Sequence, residues 1–129
     1  MDLTQQDIRN FIRFQRNEIT ESILYERLAL IEKDTNNSKT LKLIAAEEKS
    51  HYNILKKYTG KDVAPDYKRI ARFYFLARTL GLTFAIKLME SSEENAHNNY
   101  DKYVHIPDLQ RLALDEEVHE QKLIALINE

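Results

Sequence analysis

The chain has 129 residues, no cysteine, two glycines, two prolines and a formal charge of −2 from 21 acidic and 19 basic residues. That length suffices for one domain with one apolar core, and the lack of cysteine excludes disulfide frameworks, thiolate zinc sites and iron–sulfur clusters. Near-neutral charge leaves no basic footprint for nucleic acid, and no run approaches the roughly 18 to 20 apolar residues of a membrane span. The start "MDLTQQDIRN" lacks the charged-then-apolar order of a signal peptide, which points to a cytoplasmic protein.

Scarce breakers and abundant Leu, Ile, Ala, Glu, Lys and Arg predict an all-α chain. The first helix begins after Thr4, with Asp7 completing a capping box, and runs to about Lys33. "DTNNS" (34 to 38) reads as a turn, and Ser38 caps a second helix ending near Tyr58. "TGKDVAP" breaks that helix, Gly60 being suited to a left-handed stop. From Asp66 to about Val104 the helical pattern is almost continuous; its length calls for a split near Gly81 into a connecting helix and a third main helix. "HIP" ends that helix ahead of Pro107, and a fourth covers 108 to 127. The long second-to-third interval predicts a four-helix bundle with one long, partly helical crossover, in a single domain spanning 1 to 129. Within the crossover, "RIARFYFLARTLGLTF" (69 to 84) is apolar enough either to form a homodimer surface or to pack on its own bundle.

Two of these helices interrupt their apolar stripes in the same way. Leu41, Ile44, Glu48, His51, Leu55 and Tyr58 follow steps of three and four, and so do Leu109, Leu112, Glu116, His119, Leu123 and Leu126. The first helix places Glu18 on a line with Phe11, Gln15, Ser22, Tyr25 and Ala29, and the third places Glu90 and Glu93 with Ile86, His97 and Tyr100. If the four stripes face one axis, at least four carboxylates and two imidazoles meet at one level. Uncompensated burial would cost several kcal/mol per ion. No lysine or arginine occupies these lines, so a divalent metal cluster is the economical counter-charge. Carboxylate with imidazole suits iron or manganese, whereas zinc takes a smaller set and magnesium or calcium needs no imidazole.

These residues resemble the ferritin-like di-iron proteins, whose bundle site draws one Glu from each of two helices and Glu-x-x-His from each of the other two. The order here is Glu18, Glu48-x-x-His51, Glu90, Glu116-x-x-His119, with separations of 30 and 26 residues within the two hairpins. The added acid in "LMESSEEN", Glu93, is similar to that of rubrerythrin, and the resemblance implies that Glu93 exchanges with His51 as an iron ligand on oxidation. It also implies that Glu48 and Glu116 bridge two irons per chain, or manganese or a mixed pair, that Glu18 and Glu90 are terminal ligands, and that Tyr25 and Tyr100 approach the cluster. Glu21 is either a ligand or a base behind the ligands. Glu47, Asp115, Glu117 and Glu120 either face solvent or bond the imidazoles, His97 sits behind the ligands, and His105 reads as a loop residue.

The phrases "NEITESILYERLA", "YTGKDV", "LGLTFAIKLMES" and "DEEVHEQKL" resemble the rubrerythrin-like domain fused to membrane iron transporters of the vacuolar type, as a stand-alone relative or an excised domain. The implied function is Fe(II) binding and oxidation by peroxide or dioxygen, with electrons from an external donor because a rubredoxin module is missing. The alternative is an iron-sensing or iron-delivery module of a membrane iron transporter, without sustained catalysis and membrane-associated through that partner.

Overall fold

The computed structural model describes residues 2–96 and 100–127, with side chains for 2–89 and 100–126. Among the described residues the chain is all-helical: α1 (Gln5–Ile31), α2 (Thr35–Thr59), α3 (Tyr67–Leu80), α4 (Leu82–Ala96), a single 3₁₀ turn (Tyr100–Tyr103) and α5 (Pro107–Ile127).

Local chemistry sets most boundaries. Thr4 and Asp7 form the expected reciprocal capping box at α1, and Gly60 stops α2 in the left-handed region at φ 67°. α5 begins at Pro107, where a missing N–H costs nothing. Two expectations need correction. The cap of α2 is Asp34, whose side chain accepts from Asn37 N, so residues 35 to 38 belong to the helix. Ser38 is used differently, its hydroxyl donating to Ala29 O at 2.7 Å across the hairpin. The third main helix does not run unbroken to Val104: α4 is described as far as Ala96, and residues 100 to 103 form the 3₁₀ turn.

α1 and α2 pack antiparallel along their lengths, as shown by the bonds Ser22 Oγ to Ala45 O (2.7 Å) near the middle and Thr59 Oγ1 to Gln15 Oε1 (2.6 Å) toward one end. The connection from α2 to α3 is laid along α1. Gln15 Nε2 donates to Lys61 O, Asp66 N donates to Thr20 Oγ1, and Val63 N donates to the Tyr52 hydroxyl at 2.8 Å. α3 then packs on α1 and α4, and α4 and α2 both meet α5. Ile70, Phe73, Ala77, Ala85 and Ile86 are buried within the chain, so intramolecular packing accounts for the inner half of the apolar crossover.

The interior is layered. One apolar cluster gathers Leu24, Leu28, Leu41, Ile44, Phe73, Ile86, Met89, Leu123 and Leu126. A second, from the other ends of α1, α2 and α5, gathers Phe11, Phe14, Leu55, Tyr100, Leu109 and Leu112. On all three of those helices the stretch between the two clusters carries acids and histidines: Glu18, then Glu48 and His51, then Glu116 and His119.

Candidate metal centre

Helical periodicity puts this polar layer indoors. Every member of the α1 line (Phe11, Gln15, Glu18, Ser22, Tyr25, Ala29) is buried, and Glu18 with them has no exposed surface. On α2, Glu48 and His51 are 1% and 2% exposed, and on α5 His119 is 3% exposed with Glu116 partly covered. Glu18, Glu48, His51 and Glu116 each offer one ligand atom within 4.8 Å of all the others, a group that could hold a metal ion.

His51 Nδ1 lies 3.3 Å from Glu116 Oε1, 3.4 Å from Glu18 Oε2 and 3.7 Å from Glu48 Oε1. His119 Nδ1 lies 2.7 Å from Glu48 Oε1 and 4.0 Å from Glu116 Oε1. The two rings face each other with centroids 5.7 Å apart. Glu48 and Glu116 therefore stand between the two imidazoles, one near each Nδ1.

The outer nitrogens are held in a crossed pattern. His51 of α2 meets Asp115 of α5 at 2.9 Å through Nε2, and His119 of α5 meets Glu47 of α2 at 2.7 Å through Nε2. Each motif thus supplies, from the residue just ahead of its inner Glu, the anchor for the other motif's imidazole. In the neutral ring with its proton on Nε2, each Nδ1 lone pair is turned inward. Tyr100, entering from the 3₁₀ turn, donates its buried hydroxyl to Glu18 Oε1 at 2.6 Å.

Such burial is costly for the carboxylates. Glu48 is driven well above the ordinary glutamate range, first by burial and then by the charges of Glu18, Glu116 and Glu21. Glu116 is pushed up to about 8 by burial and by Glu18, against the pull of the neighbouring His51. Burial opposes charge on His51, yet the carboxylates of Glu116, Glu18 and Asp115 outweigh it and raise the ring to about 11. Glu18 ends below its ordinary value because the neighbouring His51 and Glu48 and the Tyr100 hydroxyl overcome its burial. Among the described residues the cationic partners of Glu48 and Glu116 are imidazoles, with no lysine or arginine.

Among the described residues, both Glu48 oxygens, Glu116 Oε1 and the Nδ1 atoms of His51 and His119 are buried in this layer without hydrogen-bonding geometry. Buried polar atoms ordinarily find partners, so a convergent set of lone pairs aimed at one volume fits a cation that accepts them together. The donor set of carboxylate oxygen and imidazole nitrogen passes the same test chemically.

Of the residues expected from sequence, Glu18, Glu48, His51, Glu116 and His119 converge, and Tyr100 joins them through Glu18. Glu21 is buried beside Glu48 and acts on its charge, which places it at the edge of the group. Tyr25 is buried in the first apolar cluster. Glu90 and Glu93 lie on α4 with side chains outside the described residues, and His97 falls outside them altogether. Glu117 and Glu120 face solvent, whereas Glu47 and Asp115 hold imidazoles. The crossed pairing was not assigned from sequence. Its signal was the acid preceding each inner Glu, in "EEKSH" and "DEEVH". Comparisons of the chain with protein-family models, curated proteins and solved structures return no match.

Proposed function

We propose that the chain is a non-haem di-iron protein of the rubrerythrin-like type, binding Fe(II) and oxidising it with peroxide or dioxygen. In this reading α1, α2, α4 and α5 are the four helices of a ferritin-like bundle and α3 is its crossover. The observation that carries it is the buried polar layer between two apolar clusters, in which inward-facing oxygens and Nδ1 atoms lack hydrogen-bond partners. Glu48 and Glu116 would bridge, Glu18 and Glu90 would be terminal ligands, and His51 and His119 would complete one ion each. Glu93 would exchange with His51.

When bound, the iron pair supplies the two electrons that cleavage of an O–O bond consumes. The protein's own contribution is positional. Asp115 and Glu47 fix the ring orientations, and Tyr100 fixes one oxygen of Glu18 while the other faces His51. The apolar clusters on both sides keep bulk water from the layer. Half-exposed Glu47 and Asp115 mark the side from which solvent reaches it.

Anaerobic Fe(II) titration followed optically, then addition of peroxide or oxygen with a reductant supplied, tests the proposal. Saturation near two irons per chain and repeated turnover are expected. Uptake without sustained peroxide consumption would favour the sensing or delivery role, and no uptake would reject a metal centre.

A further inference from the structure

A second surface, remote in chemistry from the acidic layer, lies on the crossover. From Tyr67 to Met89 the sequence contains five basic residues (Lys68, Arg69, Arg72, Arg78, Lys87) and no acid, so the rest of the chain carries a formal charge of −7. α3 buries Ile70, Phe73 and Ala77 against the bundle, and its opposite face presents Tyr67, Lys68, Ala71, Arg72, Phe75, Arg78 and Thr79 to solvent. Tyr67 is 64% and Phe75 66% exposed, both on the solvent-facing side of the helix. Lys68, Arg72 and Arg78 make no ion pair among the described residues. The acids just ahead of α3 are engaged elsewhere: Asp62 pairs with Lys56, and Asp66 caps the helix through Arg69 N.

We infer that the outer face of α3 docks the protein on an anionic lipid bilayer, lying in the headgroup plane without crossing it. Aromatic side chains interleaved with Lys and Arg on one helical face suit that boundary, where rings enter the headgroup region and long cationic stems reach phosphates. No described helix is long and apolar enough to span a membrane. Charge decides against the simplest alternative occupant. A two-fold contact of this face with a second copy would set Arg72 and Arg78 against the same cationic surface. An anionic bilayer attracts this face and repels the acidic remainder, which fixes the orientation of docking as well as its existence.

Flotation of the full chain with phosphatidylcholine vesicles, with and without phosphatidylglycerol, at low and high salt, tests the inference. Binding is expected on anionic vesicles only and should weaken with salt. Each basic residue at such a surface contributes a factor of about five, so Arg72→Glu with Arg78→Glu should reduce partitioning at least about 25-fold. Phe75→Glu should also release the protein, whereas Leu114→Glu, at an exposed position of α5, should not. Circular dichroism and melting verify that each variant is folded. Equal binding to neutral vesicles, or wild-type binding by folded Arg72/Arg78 and Phe75 variants, overturns the inference. So does a wild-type dimer that Phe75→Glu dissociates in light scattering while vesicles bind neither form, which would assign the face to a second copy.

Discussion

Glu48→Gln separates a metal centre from an ordinary buried network, because the two make opposite predictions for stability. Gln keeps the shape of Glu48 and removes its ionisable carboxyl at a position 1% exposed, within 4.8 Å of ligand atoms on Glu18 and Glu116. Two unit charges at that distance repel by about 3.5 kcal/mol at an effective dielectric of about 20. Burial and this repulsion hold a proton on Glu48, and Gln is spared the cost of that proton uptake at neutral pH, so without metal the variant should gain about 1 to 3 kcal/mol. At about 4 °C per kcal/mol for a chain of this size, its melting midpoint should rise by about 4 to 12 °C. With metal the order reverses. A ligand at a hundredfold excess over its Kd stabilises by about 2.7 kcal/mol, roughly 10 °C, and the variant has lost an oxygen shared between both imidazoles. Differential scanning fluorimetry of both proteins, chelator-treated and after anaerobic Fe(II) addition, reads all four values. A chelated variant that melts several degrees below wild type and still gains the full shift on Fe(II) addition would refute the reasoning.

Three further predictions rest on separate features. Replacing Asp115 or Glu47 by Ala releases one imidazole each and should weaken metal affinity by about 10- to 100-fold in calorimetric titration. Gln15→Ala removes the two bonds that tie Thr59 and Lys61 to α1 and should cost about 2 to 3 kcal/mol in urea unfolding. Asp7 is held below the ordinary aspartate value by Thr4 N and the Tyr103 hydroxyl. A depressed folded pKa stabilises above the unfolded value of 3.8 and loses that contribution as pH falls through the folded value. Asp7→Asn should therefore melt below wild type at neutral pH, with the gap closing in acid.

Much of the site was legible because two short-range rules coincide in it. Helical steps of three and four mark which residues share a face, and Glu-x-x-His on such a face is conspicuous when its neighbours are Leu and Ile. Burial of the whole α1 line from Phe11 to Ala29 follows from that spacing alone. Caps were readable where the side chain competes with no tertiary partner, as at Thr4 and Gly60. Ser38 was misread as the cap of α2 because its hydroxyl is drawn to Ala29 O on the neighbouring helix, a contact that exists only once the hairpin closes.

The sequence by itself determined that the chain is helical and which side chains share a helix face, because backbone geometry makes those properties periodic within about four residues. Only the tertiary structure decided how α1, α2 and α5 align, and with that alignment the distances that bring Glu18, Glu48, His51, Glu116 and His119 into one layer. It also decided that Asp115 serves His51 and Glu47 serves His119, and that Phe75 is exposed while Phe73 two residues earlier is buried. Those outcomes depend on the relative shift and rotation of whole helices, which the summed packing of distant residues sets and no local stretch encodes.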